Sequence, residues 1–358
     1  MIRVFVVDDS PFVRKALRRV LTAATGIDVV GEAATGQEAL ALIPQMNPDV
    51  VTLDIEMQGL NGLQVLRQLL IWRPELRVIM LSAYAKEGAE ATLDALAAGA
   101  ADFIDKQSLD LLDLDRLGRE LGERIRLLTQ PARRRPVPEP RSNGTPPTRL
   151  DNVDLCVIGA STGGPAALQL ILEQLPASFP LPIAVVQHMP AGFTRPFADR
   201  LNGLCKLKVS EAVEGERLEA GKIFIAPAGR HLRLSTSLVA MLSPEPRSAR
   251  HIPSVDILFR SAQRARPGRV LGVLLTGMGE DGAEGLSLIR AQGGVTIAES
   301  QESCVVYGMP RAAVERGAAE AVLGLREIAG TLRDWGFEGL GDLGIGGFGD
   351  WGIWSVGW

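Results

Sequence analysis

The feature that most constrains the fold is an alternation of short apolar runs with amphipathic segments, which occurs twice along the chain. In the N-terminal part the apolar runs occupy residues 2–7, 50–53 and 78–81, while the apolar side chains of residues 12–21 fall on one helical stripe. Short, mainly apolar runs are typical of parallel strands that are buried on both faces. The alternation therefore predicts a doubly wound α/β domain at residues 1–128.

A segment that cannot form a core separates the two alternations. Residues 129–149 are rich in proline and arginine, and Val137 is their only large apolar residue. This composition is typical of a semi-extended linker, although its arginines could also bind an acidic partner. We therefore predict a linker at residues 129–150.

The second alternation predicts another mainly parallel α/β domain, at residues 151–335. Its apolar runs, each bounded by glycine or proline, are residues 153–158, 183–186, 223–226, 270–275 and 295–298. The last helical pattern covers residues 325–335. Residues 336–358 are rich in glycine and tryptophan and show no period, which favours a flexible extension over a docking tail.

Composition and charge exclude several classes of protein. A length of 358 residues accommodates two domains with sizeable cores, and a net charge of -4 gives no general attraction to nucleic acid or anionic membranes. The three cysteines are far apart and form no CxxC pair, as in a reducing compartment. No signal peptide or apolar stretch of about 18 residues is present, so we expect a cytoplasmic protein without membrane insertion.

Five polar side chains follow strands of the first predicted sheet. Asp8 and Asp9 follow the first strand, and Asp54, Ser82 and Lys106 end the third, fourth and fifth strands. Since parallel strands end at one edge of a sheet, these side chains should converge there. Three carboxylates together favour a hard cation such as Mg²⁺. Asp54 could then accept a phosphoryl group, with Lys106 offsetting its charge and Ser82 donating a hydrogen bond to it.

The motifs VVDDSPFVR, VVTLDIEMQGLNG, MLSAY and DFIDK resemble those of response-regulator receiver domains. The resemblance implies a flavodoxin-like fold with strand order 2-1-3-4-5. It also implies that Asp54 is the phosphoacceptor and that Asp8, Asp9 and Asp54 hold Mg²⁺. Gln58 and Gln107 stand where many receivers have proline, which bears on the geometry of the neighbouring loops.

A serine lies in a glycine-rich turn at the start of the second domain. Ser161 occupies a G-x-S-x-G frame within the sequence VIGASTGGP, between a predicted strand and a predicted helix. Such a turn can project a nucleophilic hydroxyl, but its free N–H groups can equally cradle an anion. The turn lacks the lysine of a Walker motif. The turn alone leaves both interpretations open.

Histidine is scarce, and this narrows the choice of a base for a serine hydrolase. A serine nucleophile needs a base that works near neutral pH, and the chain offers only His188, His231 and His251. His188 ends a predicted strand and should share the edge of Ser161, whereas His231 begins an alternating stretch and His251 precedes a predicted helix. Asp281 follows another buried strand and could orient the base or simply cap a helix.

A Ser-His-Asp order differs from the Ser-Asp-His order of α/β-hydrolases and disfavours that fold. The turn glycines leave backbone N–H groups free for an oxyanion hole. A receiver-controlled transcription factor would require a basic helix-turn-helix, which the C-terminal half lacks. An inactive scaffold of the same fold stays an alternative.

The motifs IGASTGGP, QHMPAGFTRPFADRL, HIPSVDILF, LLTGMGEDGAEG and ESCVVYGMP resemble the CheB family of chemotaxis methylesterases, and the two resemblances together span about residues 1–335. The family implies that Ser161 is the nucleophile, His188 the base and Asp281 its orienting acid. Thr162 and the Met278 N–H would stabilise the oxyanion.

The resemblance to this family also implies partners and substrate contacts. The substrates would be methylated cytoplasmic domains of chemoreceptors, and a histidine kinase of the CheA type would donate the phosphoryl group. Arg195 and His251 are candidates for contacts with the substrate. Ester hydrolysis itself would need no cofactor.

Overall fold

The computed structural model describes residues 1–82, 86–106, 114–129 and 152–338, with the backbone alone at residues 86–87, 114–116 and 335–338. Of the predicted linker, residues 130–150 lie outside the described residues, as do Gln107 and the predicted tail beyond residue 338. Thr129 ends a helix and residues 336–338 continue one, so the linker begins at least one residue later and the tail at least three residues later than expected. Among the residues described, no helix is long and apolar enough to cross a lipid bilayer.

The first unit is a five-stranded parallel sheet in the order β2-β1-β3-β4-β5, with helices on both faces. This order confirms the flavodoxin-like expectation. Its strands are β1 (Ile2–Val7), β2 (Ile27–Ala33), β3 (Val50–Asp54), β4 (Arg77–Ser82) and β5 (Asp102–Asp105). Its helices are α1 (Pro11–Ala23), α2 (Gly36–Met46), α3 (Gly62–Trp72), α4 (Lys86–Ala97) and α5 (Leu114–Thr129).

The second unit is a seven-stranded parallel sheet in the order β14-β13-β12-β6-β7-β9-β8. Its strands are β6 (Leu155–Ala160), β7 (Ile183–Gln187), β8 (Lys208–Glu211), β9 (Lys222–Ile225), β12 (Val270–Leu274), β13 (Val295–Glu299) and β14 (Ala321–Leu323). A separate antiparallel hairpin consists of β10 (His231–Leu234) and β11 (Ala240–Ser243). The helices are α6 (Gly164–Leu172), α7 (Thr194–Leu204), α8 (Val255–Ala265), α9 (Ala283–Ala291), α10 (Met309–Glu315) and α11 (Leu325–Glu338).

Strand β6, which leads into the serine turn, lies at the centre of the second sheet between β12 and β7. It covers Leu155–Ala160, so the expectation of residues 153–158 was wrong by two residues at each end. Residue 159 of this strand has no room for a side chain because α8 packs directly over it: a Cβ there would lie 2.2 Å from Val255 Cγ1. The strand therefore carries Ser161 to the carboxyl edge of the sheet.

The two units pack against each other. Helix α4 of the first unit contacts α6 and α7 of the second. The ring of Phe103 in β5 lies 4.7 Å, centroid to centroid, from that of Phe193. Arg200 of α7 forms a salt bridge with Asp94 of α4. The first unit therefore lies next to the turn that carries Ser161.

Candidate active site and phosphoacceptor pocket

Three distant stretches bring Ser161, His188 and Asp281 to the carboxyl edge of the second sheet. Ser161 directly follows β6 and His188 directly follows β7, while Asp281 lies in the segment between β12 and α9. The Ser161 N–H donates to the Thr276 carbonyl at 3.0 Å, and the His188 N–H donates to the Ala160 carbonyl at 3.0 Å. Backbone hydrogen bonds thus extend the sheet as far as both side chains.

The histidine and the aspartate are in direct contact. His188 Nε2 lies 2.9 Å from Asp281 Oδ2. Because a carboxylate accepts hydrogen bonds, this contact places a proton on Nε2 and leaves Nδ1 as the acceptor of a neutral ring. His188 Nδ1 is buried and has no hydrogen-bond partner among the described residues. Ser161 and His188 line the same cavity, although no hydrogen bond joins their side chains in the described part of the chain.

The Asp281 carboxylate also caps helix α8. Its Oδ1 accepts the Ser254 hydroxyl at 2.9 Å and the Asp256 N–H at 3.0 Å, and its Oδ2 accepts the Val255 N–H at 2.8 Å. Burial alone would raise the pKa of Asp281. The bond and charge of His188 and the two N–H groups outweigh burial and hold this pKa well below its usual range. Asp281 is therefore ionised whenever His188 becomes charged.

Three backbone donors surround the serine. The N–H groups of Thr162, Gly163 and Met278 have no acceptor among the described residues, which suits an oxyanion hole. Gly163 has φ +79°, and a Cβ on it would lie 2.6 Å from Val305. Only glycine therefore permits this turn. A Cβ on Gly277 would lie 2.7 Å from Ser161 Cβ, so the Met278 loop approaches Ser161 closely.

Both units line the cavity in front of Ser161, which has a volume of about 460 Å³. Its walls include Asp102, Phe103 and Arg124 from the first unit and Met278 and Arg250 from the second. Asp102 Oδ2 accepts both Arg124 Nη1, at 2.7 Å, and the Thr162 hydroxyl, at 3.3 Å. A carboxylate of the first unit is thus hydrogen-bonded to the turn that holds Ser161.

The two candidates for contact with the substrate lie in different places. His251 lines the cavity, and its ring stacks on that of His188 with a centroid distance of 4.2 Å. Burial, followed by the effect of His188, lowers the pKa of His251 to about 4. Arg195 does not line this cavity and pairs with Asp199 within α7, so its contact with the substrate stays a prediction.

Sequence reasoning missed two residues that support the aspartate. His231 is fully buried at the start of β10, and its Nδ1 accepts the Ser254 N–H at 3.1 Å. Ser254 both caps α8 and donates its hydroxyl to Asp281. A serine just before the apolar run of VDILF was a readable signal for a helix start. Its bond to a distant aspartate had no local signal.

The candidate phosphoacceptor pocket lies at the carboxyl edge of the first sheet. Carboxylate oxygens of Asp8, Asp9 and Asp54 lie within 4.8 Å of one another. Lys106 Nζ lies 2.8 Å from Asp8 and 2.7 Å from Asp54. Burial raises the pKa of Asp54 to about 6, against the opposing effect of Lys106. A compact set of oxygen donors that repel one another fits Mg²⁺, whose charge would offset theirs.

Ser82 ends β4 and connects this pocket with α4. The hydroxyl of Thr92, in α4, donates to Ser82 Oγ at 2.7 Å, and Ser82 Oγ donates to the Gly88 carbonyl at 3.3 Å. Both side chains are fully buried. The end of β4 is therefore hydrogen-bonded to the helix that packs against the second unit.

Comparison with known proteins places both units in one family. A family model described as CheB methylesterase matches residues 156–332, and one described as response regulator receiver domain matches residues 4–115. The structure is similar to that of the CheB methylesterase catalytic domain from Thermotoga maritima. The two are 40% identical with a TM-score of 0.50, over 51% of this chain and 98% of that one.

Relatives match almost the whole chain. A protein-glutamate methylesterase/protein-glutamine glutaminase of Lawsonia intracellularis is 43% identical over 92% of this chain and 98% of its own length. A protein of the same description from Archaeoglobus fulgidus is 42% identical over 91% of this chain and 96% of its own length. The chain therefore belongs to the CheB methylesterase family, in the form that carries an N-terminal receiver domain.

Proposed function

We propose that this chain is a phosphorylation-controlled esterase that hydrolyses glutamate methyl esters, and deamidates glutamines, on cytoplasmic domains of chemoreceptors. The observation that carries this proposal is the largely buried pair of His188 and Asp281, which leaves His188 Nδ1 without a hydrogen-bond partner among the described residues, in the cavity that Ser161 also lines. The names of the relatives supply the substrate class. In this role the enzyme would work in the cytoplasm and provide adaptation in chemosensory signalling.

The proposed reaction is acyl transfer in two halves. The Ser161 hydroxyl attacks the ester carbonyl carbon while His188 Nδ1 takes its proton, and a tetrahedral oxyanion forms. The carbon–oxygen bond to the methoxy group then breaks, and His188 returns the proton so that methanol leaves. Water, deprotonated by His188, hydrolyses the acyl-serine to a glutamate carboxylate and free Ser161. For a glutamine substrate the leaving group is ammonia.

Asp281 and the backbone donors supply the electrostatics. The carboxylate holds His188 in the tautomer that accepts at Nδ1 and stabilises the imidazolium that follows proton transfer. The N–H groups of Thr162 and Met278 would donate to the oxyanion, each contributing on the order of 10²- to 10³-fold in kcat. His251 stays neutral above about pH 5, because its pKa is about 4, and so adds no competing positive charge.

Control would come from the receiver domain. In the structure its strand β5 lies over the active-site cavity, and Asp102 bonds to the Thr162 hydroxyl, so a bulky protein substrate would have to displace it. A histidine kinase of the CheA type would transfer a phosphoryl group to Asp54. Mg²⁺ held by Asp8, Asp9 and Asp54 would offset the charge of that group. Through Ser82 and α4, this change would shift the docked receiver toward release.

Methanol release from a receptor methylated with tritiated methyl groups tests the proposed activity. Ser161→Ala should lower turnover on the order of 10³- to 10⁶-fold, because the triad acts as a unit. Ser210→Ala, in the edge strand β8, is the matched control and should leave turnover unchanged. A Ser161→Ala protein that releases methanol at the wild-type rate would remove Ser161 from the mechanism.

A further inference from the structure

A buried carboxylate that the proposed reaction does not use lies behind the active site. Glu299, the last residue of β13, is fully buried. Its side chain accepts the Thr276 N–H at 2.8 Å and the Ser303 hydroxyl at 2.9 Å. Burial raises the pKa of Glu299, and these hydrogen bonds oppose the shift. Burying a carboxylate is costly unless hydrogen bonds replace its lost hydration. The bonds that do so here connect β13 with Thr276 and Ser303.

Thr276 connects Glu299 with Ser161 through hydrogen bonds. Its carbonyl accepts the Ser161 N–H at 3.0 Å, and its hydroxyl donates to the Thr162 carbonyl at 2.9 Å. The same hydroxyl accepts the Val306 N–H at 3.0 Å. Every polar group of Thr276 is thus bonded to Glu299, to the serine turn or to the segment around Val306. Thr276 is 1% exposed, so water does not compete for these bonds.

The residues after Thr276 bring the oxyanion donor into place. The Gly277 N–H donates to the Val306 carbonyl at 3.0 Å, and the Gly277 carbonyl accepts the N–H groups of Gly308, at 3.1 Å, and Met309, at 2.8 Å. The next residue is Met278, whose N–H is unpartnered among the described residues. Its position relative to Ser161 therefore depends on the bonds that Thr276 and Gly277 make.

The geometry points to Glu299 and Thr276 as positioning residues that hold the oxyanion donors of Thr162 and Met278 at a fixed distance from Ser161. This role rests on the proposed esterase function. Neither side chain touches the substrate. Loss of either would leave the triad intact and loosen only the donors, which lowers stabilisation of the transition state more than binding of the substrate.

Thr276→Val in the full chain tests the role, since valine keeps the shape and backbone groups but removes the hydroxyl. We expect kcat for methanol release to fall about 10- to 100-fold, with KM unchanged within about twofold. Thr296→Val is the matched control: Thr296 is equally buried in β13, and among the described residues its hydroxyl bonds only to the Glu320 N–H. Its kcat should stay within about twofold of wild type. A folded Thr276→Val protein with wild-type kcat would overturn the assignment.

Glu299 is tested by a conservative and a truncating change. Glu299→Gln keeps an oxygen that can accept the Thr276 N–H, so kcat should stay within about threefold of wild type, whereas Glu299→Ala should lose about as much as Thr276→Val. Wild-type kcat in a folded Glu299→Ala protein would remove Glu299 from the role. If that protein does not fold, the Thr276→Val result decides.

The rate at which a fluorophosphonate labels Ser161 separates this inference from the proposed substrate. Labelling forms a tetrahedral phosphorus centre whose oxygen uses the same donors, but it does not depend on the natural ester. If wild type is labelled but releases no methanol, the substrate assignment fails, and the labelling rate of Thr276→Val relative to Thr296→Val decides the positioning role. If wild type is neither labelled nor active, both fail.

Discussion

Replacing Asp281 by asparagine removes one charge and leaves the side-chain volume almost unchanged. The structure shows which hydrogen bonds of the carboxylate the amide can no longer make. Both carboxylate oxygens face a backbone donor: Oδ2 faces the Val255 N–H and Oδ1 faces the Asp256 N–H. Whichever way the amide is oriented, its NH₂ group points at one of these donors. If that NH₂ occupies the Oδ2 position, His188 must also present an unprotonated Nε2 and carry its proton on Nδ1, the wrong tautomer for a base.

The expected cost has two parts. Loss of the charge beside the imidazolium, together with the wrong tautomer when the NH₂ takes the Oδ2 position, should lower kcat on the order of 10³- to 10⁴-fold. Loss of charge-assisted bonds and one unsatisfied buried N–H should destabilise the domain by about 2–4 kcal/mol, because bonds to charged groups contribute about 1.5–3 kcal/mol each. In a domain of this size that corresponds to a fall in Tm of about 5–15 °C.

The pH dependence of stability shows whether the loss of stability in Asp281→Asn comes from the missing negative charge. The folded-state pKa of Asp281 lies below its unfolded value near 3.8. Its contribution is therefore fully present above that unfolded value and is lost as the pH falls through the folded-state pKa. The difference in unfolding free energy between wild type and Asp281→Asn should thus be constant near neutral pH and should shrink below about pH 4.

Urea unfolding at several pH values measures the loss of stability, and methanol release measures the fall in kcat. Asp154→Asn is the control, because Asp154 forms a partly exposed pair with Arg269 whose loss should cost about 1 kcal/mol or less. An Asp281→Asn protein that keeps kcat within about tenfold of wild type, with unchanged Tm, would refute both the orienting role and the capping of α8.

Three further predictions concern the receiver and the cavity. Asp54→Asn should abolish stimulation of methanol release by acetyl phosphate and leave unstimulated release unchanged; stimulation that persists would contradict its role as phosphoacceptor. Arg200→Ala removes a partly exposed ion pair between the two domains that contributes up to about 1 kcal/mol. Methanol release by the unphosphorylated protein should therefore rise by at most about fivefold. Arg195→Ala, on the same helix, is the control and should leave methanol release unchanged. His251→Phe keeps a ring on His188 and should leave the acid limb of the kcat/KM profile in place, because the pKa of His251 is about 4; a displaced limb would show that His251 titrates in the working range.

Much of the fold was predictable because central parallel strands are apolar on both faces. The edge strands β2 and β8 were not predictable in this way, because they are partly exposed. Strand β2 alternates buried and exposed residues, and β8 is only Lys208–Glu211, so neither forms a continuous apolar run. Strand order in the first sheet followed from the resemblance to receivers and not from the residues themselves.

The positions of the candidate site residues were predictable wherever a polar side chain directly follows an apolar strand. This pattern brought Ser161 and His188 to one edge of the sheet. It could not reveal that Asp281 also caps α8, since the helix start and the aspartate are more than twenty residues apart in the sequence. Nor could it reveal Glu299, which resembles any acid at a strand end until its burial is known.

The packing of the two units had no local signal at all. It depends on complementary surfaces, such as Phe103 against Phe193 and Asp102 against Thr162, that periodicity does not encode. Arg195 shows what a family motif leaves open. The motif suggested a contact with substrate, and the structure shows its ion pair with Asp199 on the same helix, so the substrate contact stays a prediction.

Stoichiometric labelling of the full chain with a fluorophosphonate, followed by peptide mapping and methanol release on the same samples, tests most directly whether Ser161 is the nucleophile of an esterase. We predict a single adduct, on Ser161, and a loss of methanol release in proportion to the labelled fraction. An adduct on another residue, or full methanol release from fully labelled protein, would contradict the proposed mechanism.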